Sequence, residues 1–169
     1  MVTKKSIGVI FGILLISGWV LGSAVQAGAE TLNYKAYHYA EKNENVLVGD
    51  VENHSLQLAI RRVFLIFENG EVATGTLSNI GDIIGTSGTL TSYGTITFAD
   101  GSVIFIKREV KVVEGKTTET KGQITKGTGR FQGIKGTQDT KTKLLPLEKG
   151  EVGQKGISEG TLTFTLPSK

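Results

Sequence analysis

Few side chains in this chain could carry chemistry: there are two histidines and no cysteine, and the arginines and tyrosines of interest interrupt apolar or threonine-rich alternations. Arg108 stands between Ile106 and Val110 at period two and shares their dry face. A guanidinium on such a face needs either a ligand anion or a structural carboxylate. Arg61 and Arg62 break the most apolar stretch, Leu56 to Phe67, and because successive strand residues point to opposite faces, one of the pair must point inward. We take Arg62 as the candidate for an anionic head group, against the alternative of an ion pair to Glu68, Glu71 or Glu52. His54, flanked by Asn53 and Ser55, precedes that stretch; a general base there needs a reacting group and an orienting partner, and the plainer reading is a surface histidine. Tyr93 interrupts a threonine face, where it either lines a pocket or covers a neighbour's backbone. His38 lies on an alternating segment and reads as core or interface.

Several chemistries are excluded by residue type and spacing. Two isolated histidines without cysteine or nearby acidic partners do not make a zinc site. No G-x-S-x-G nucleophile elbow occurs. The glycines at 127 and 129 would need a third at 132 for a dinucleotide fingerprint, but Gln132 stands there and no helical pattern follows. Gly115-Lys116-Thr117 resembles the end of a phosphate-binding loop, yet the earlier glycine is replaced by Val110. No cofactor is therefore expected.

The elements that must position these residues are strands. Tyr34, Ala36 and His38 alternate with polar neighbours between Leu32 and Ala40, and a polar turn over Glu41 to Asn45 separates them from a short strand at Val46 to Val48. Leu56 to Phe67 changes its apolar parity at Arg61-Arg62, which predicts a bulge or a strand buried on both faces. Asn69-Gly70 is a strong hairpin signal and leads into Glu71 to Leu77. Gly81 to Gly88 reads as a loop, followed by Thr89 to Phe98, with threonines opposite Leu90, Ile96 and Phe98. Asp100-Gly101 turns the chain into Ser102 to Val113, and further strands follow over Thr117 to Thr125, Ile134 to Leu144 and Gly160 to Leu166. The expectation is an all-β domain of eight or nine antiparallel strands closed into a barrel.

The first 27 residues read as a cleaved secretory signal: Lys4 and Lys5, an apolar run from Ile7 to Leu21, and small residues over Ser23 to Ala27. The run is shorter than the ~20 residues of a spanning helix, and without cysteine a lipid anchor is excluded. The domain is then 28–169, exported to a bacterial periplasm or medium, without stable membrane insertion. An outer-membrane barrel is disfavoured, because aromatic girdles are missing and the last strand runs into Pro167-Ser168-Lys169. Loss of Lys4 and Lys5 leaves 17 basic against 16 acidic residues, and no basic stripe interleaved with aromatics suggests nucleic acid.

Gly127-Thr-Gly-Arg-Phe-Gln-Gly-Ile-Lys-Gly136 places Gly127, Gly129, Gly133 and Gly136 around Phe131. Residues without a Cβ allow sharp bends, and the segment reads as a strand corner anchored by Phe131, with Arg130 and Lys135 facing outward or toward a carboxylate. It resembles the G-G-T/S-G-x-F-x-G-x-x-G segment of allene oxide cyclases and dirigent proteins, with Lys126 in place of the first glycine. The resemblance implies an eight-stranded antiparallel barrel whose lumen holds an apolar or phenolic small molecule, often in a trimer. It carries over no catalytic residue. Three functions follow as expectations: a non-catalytic binding barrel, a cofactor-free cyclase or isomerase of the allene oxide cyclase or dirigent type, and a structural or interaction barrel.

Overall fold

The computed structural model describes residues 28–114 and 119–168; the leader expected over 1–27 and the Gly115-Lys116-Thr117 look-alike lie outside them. Eight strands are present: β1 (Glu30–Leu47), β2 (His54–Phe67), β3 (Val72–Ile84), β4 (Ser87–Phe98), β5 (Val103–Val112), β6 (Glu119–Gly127), β7 (Lys135–Leu145) and β8 (Lys155–Thr165). Each pairs antiparallel with its sequence neighbours, and β8 returns to β1, with Leu32 opposite Leu162 and His38 opposite Gly156. The sheet is therefore a closed barrel, which leaves no unpaired edge.

The strands are longer than their alternation suggested. The polar run Glu41 to Asn45 is not a turn: β1 continues through it to Leu47, with a register shift between Ala40 and Lys42. The irregularity expected at Arg61-Arg62 thus lies across the ladder, in β1. β2 keeps one parity throughout, turning Ala59, Leu65 and Phe67 inward while Leu56, Leu58, Phe64 and Ile66 are exposed on the outer wall. The region read as a loop at Gly81 to Gly88 is mostly ladder, with β3 and β4 paired up to Ile84 and Ser87.

One end of the barrel, the floor, is filled. Phe67 stacks on Phe98 with centroids 5.2 Å apart, Phe98 meets Phe131 at 4.9 Å, and Phe131 meets Phe164 edge-on at 6.1 Å. The glycine segment does this work as the connection from β6 to β7, not as a bend within one strand. A 3-10 turn, Gly129–Phe131, carries the Phe131 ring into the floor, where it is 4 % exposed. Gly129 has φ of 59°, and a Cβ there would collide with Ser102 Oγ, so the turn requires glycine on both counts. Arg130 closes the floor from outside. Its guanidinium lies 4.7 Å from the Phe98 ring and 4.8 Å from the Phe131 ring, and it pairs with Glu71 at 2.6 Å and Asp100 at 3.6 Å on two floor-side hairpins.

Candidate functional site

Above the floor the inward residues become smaller or polar, and the barrel opens. The first layer over the aromatics is a hydrogen-bonded set: Gln138 Nε2 donates to the Tyr34 hydroxyl, which lies 2.8 Å from Thr140 Oγ1. Tyr34 and Thr140 share a hydrogen bond in which either hydroxyl can donate. Burial pushes the Tyr34 phenol above its ordinary value, so it is neutral at physiological pH.

From this layer to the opposite end, the mouth, runs a cavity of about 380 Å³. Its lower part is ringed by His38 from β1, Arg61 from β2, Ser92 from β4, Arg108 from β5 and Ser158 from β8. Its upper wall is mixed: Ile83, Leu90, Val110, Val112 and Leu144 stand mouthward of the polar residues on their strands, and Asn43, Gln57 and Thr120 line the same part from β1, β2 and β6. It reaches solvent at the exposed β3–β4 turn, where Gly85 and Thr86 line it. The volume lies in the range of small-molecule sites.

The electrostatics of this cavity are one-sided. Among the described residues, neither its lining nor that of the small space beneath it, between Tyr34, Ile106 and Gln138, contains an Asp or Glu. Arg61 donates to the neutral Gln154 Oε1 at 2.7 Å, while its Nε and the Nε of Arg108 are buried without a partner. Burial pulls both guanidiniums below their ordinary value, and Arg108 adds repulsion to Arg61. A guanidinium nonetheless keeps its proton in a protein. His38 cannot balance them: burial, then repulsion from Arg61 and Arg108, pushes its imidazole down to about 4, and its Nε2 is also unpartnered. Room for Arg108 is made by Gly122, its partner on β6, where a Cβ would come within 2.9 Å of Arg108 Cγ.

Of the four residues expected from sequence at a ligand site, Arg108 lines the cavity, whereas Arg62, His54 and Tyr93 do not. Arg62 points outward from β2, where its Nε and Nη2 bind the two oxygens of Glu41 at 2.8 and 3.1 Å; neither Glu68, Glu71 nor Glu52 is its partner. The inward member of the pair is Arg61. Tyr93 is on the outer wall of β4 and half exposed, because it shares the threonine parity. His54 opens β2 at the mouth, held between Asp50 at 2.5 Å and Asp82 at 2.9 Å, which raise its pKa. The glycine segment and Phe131 are at the far end from the cavity and shape the barrel rather than the site. Sequence reasoning did not bring Arg61, Tyr34 or Gln138 to the site, and it read His38 as core or interface, where it is buried and also lines the cavity. For His38 the signal was present, since it shares the parity of Tyr34 and Ala36; for Gln138 it was not, because both faces of β7 are polar.

No protein-family model matches the chain, and no curated protein matches it in sequence. Solved structures do resemble it. The pterocarpan synthase dirigent protein PsPTS1 is 16% identical over 85% of this chain and 99% of its own, with a TM-score of 0.52. The pterocarpan synthase dirigent protein GePTS1 is 16% identical over 90% of this chain and 97% of its own, with a TM-score of 0.53. The barrel therefore has the fold of dirigent proteins, and the resemblance carried by Gly127 to Gly136 holds at that level.

Proposed function

We propose that this protein is an exported barrel that binds one small, largely apolar ligand in its lumen. The observation that carries the reading is the cavity of about 380 Å³, open at the mouth, where the aliphatic side chains of Ile83, Leu90, Val110, Val112 and Leu144 share the wall with a few neutral polar ones. A small barrel either fills its interior or holds one ligand, and here the filling stops at the Tyr34 layer. The test is the fluorescence of N-phenyl-1-naphthylamine, an uncharged apolar dye, on mixing with purified protein. Saturable binding to wild type that is lost in Ala59→Trp, whose indole would occupy the cavity, supports the reading; no binding, or equal binding to both, overturns it. Export is part of the proposal and predicts a mature chain beginning at Gly28 on N-terminal sequencing.

A second reading has a specific motive. The two similar structures are named as synthases, and a lumen that holds a reactive molecule in one pose can steer a ring closure. Such a role here would rest on shape and on Arg61, Arg108, His38 and Tyr34, since among the described residues no carboxylate lines the cavity to act as a base. Product analysis with reactive phenolic substrates, wild type against Ala59→Trp, separates steering from binding alone.

We also propose self-association through the outer wall of β1 and β2, where Tyr37, Tyr39, Leu56, Leu58, Phe64 and Ile66 are exposed together. A trimer is the arrangement implied by the resemblance.

A further inference from the structure

We infer that the lumen ligand is an organic carboxylate, its anionic head seated between Arg61 and Arg108 at the bottom of the cavity and its apolar body directed to the mouth. This rests on the lumen reading above and adds the charge and orientation of the ligand. The argument begins from cost. A buried charge is expensive unless paired and hydrogen-bonded, and proteins ordinarily place a carboxylate beside a buried arginine. Arg62 and Arg130 on the outside of this barrel have such partners, Glu41, Glu71 and Asp100. The two arginines that face inward have none among the described residues, although the chain carries 16 acidic residues.

The inner polar groups also match a carboxylate in kind. Guanidinium forks present parallel N–H donors suited to two oxygens. Arg61 uses one nitrogen on Gln154 and leaves Nε unpartnered; Arg108 leaves Nε unpartnered; Ser92 Oγ, beside Arg108 across the β4–β5 ladder, is unpartnered too. These are donors awaiting acceptors, and among the described residues no acceptor of negative charge lines the cavity. Orientation follows from the strand order. On β5 the sequence toward the mouth is Arg108, Val110, Val112, and on β4 it is Ser92, then Leu90. Head-down binding therefore matches charge with charge and hydrocarbon with hydrocarbon, whereas a neutral ligand would leave two guanidiniums desolvated without compensation.

The test compares 2-naphthoate with 2-naphthamide, which has the same body without the charge, by isothermal titration at pH 7 and by displacement of N-phenyl-1-naphthylamine from the lumen. The expected result is tighter binding of the acid to wild type by roughly tenfold or more. That ratio falls to about one in the Arg61→Met, Arg108→Met double variant and is partly retained in Arg108→Lys. Equal binding of acid and amide to wild type, both displacing the dye, overturns the inference and leaves the lumen reading standing. Failure of dye, acid and amide alike to bind overturns both. The wild-type ratio decides the matter even where a variant does not fold.

Discussion

Arg61 on β2 and Arg108 on β5 face the same cavity from strands on different parts of the barrel wall, and they repel each other there with no carboxylate among the described residues of the lining. Closure of the sheet brings them together: they are 47 positions apart in sequence and share no ladder. The pairing of β8 with β1 completes the ring and adds His38 and Ser158 to the same layer. The barrel is sealed by aromatics at one end, lined by cations in the middle and open at the other end.

Arg108 is half-buried, with its Nε enclosed and unpartnered, a cost to the empty barrel that its replacement relieves. Arg108→Met is expected to be more stable than wild type by roughly 1–3 kcal/mol in urea unfolding without ligand. Arg62→Met, which removes an exposed pair to Glu41, should lose no more than about 1 kcal/mol. Loss of stability in Arg108→Met would mean that Arg108 is a structural tie.

The strands whose two faces differ in polarity were legible in sequence, and those whose faces match were not. Arg108 was placed correctly because Ile104, Ile106 and Val110 alternate with Lys107, Glu109 and Lys111. On β2 both faces are apolar, so hydrophobicity could not choose between Arg61 and Arg62, and the exposed Leu56, Leu58, Phe64 and Ile66 disguised the outer wall as core. On β7 both faces are polar, which hid Gln138. The Gly127 to Gly136 segment announced the fold, but its turn could be told from a strand corner only once the closure of β6 on β7 was seen.

The two histidines should give opposite pH dependences. His38 faces Arg61 from β2 and Arg108 from β5, with Ser158 and Thr142 from β8 and β7 on the same cavity, and it titrates at about 4 rather than near 6.5. The unfolded chain therefore binds its proton more readily, and stability falls as pH drops from 6.5 through 4, by roughly 3 kcal/mol over the interval. His54 is raised by Asp50 and Asp82, so its contribution is full below 6.5 and is lost as pH rises through its folded value. His38→Asn should abolish the loss between pH 6.5 and 4.5 and leave the His54 contribution intact. An unchanged profile in urea titrations at several pH values would show that His38 does not sit among the two arginines.

Phe131 is predicted to hold the floor through its contacts with Phe98 and Phe164. Phe131→Ala should cost about 3–5 kcal/mol, as for other buried aromatics, measurable by denaturant unfolding.

Self-association through the β1–β2 wall predicts a light-scattering mass above that of one chain, and a shift to the monomer in Phe64→Lys, which places a charge among Tyr37, Tyr39 and Ile66. A wild-type monomer at high concentration would contradict it.

The most direct measurement is a crystal structure of the protein with 6-bromo-2-naphthoate, the bromine located by its anomalous scattering. The account predicts bromine among Leu90, Val110 and Leu144 near the mouth, with the carboxylate in contact with both Arg61 and Arg108. Bromine on the outer wall, or a carboxylate turned to the mouth with the two arginines still unpaired, would contradict it.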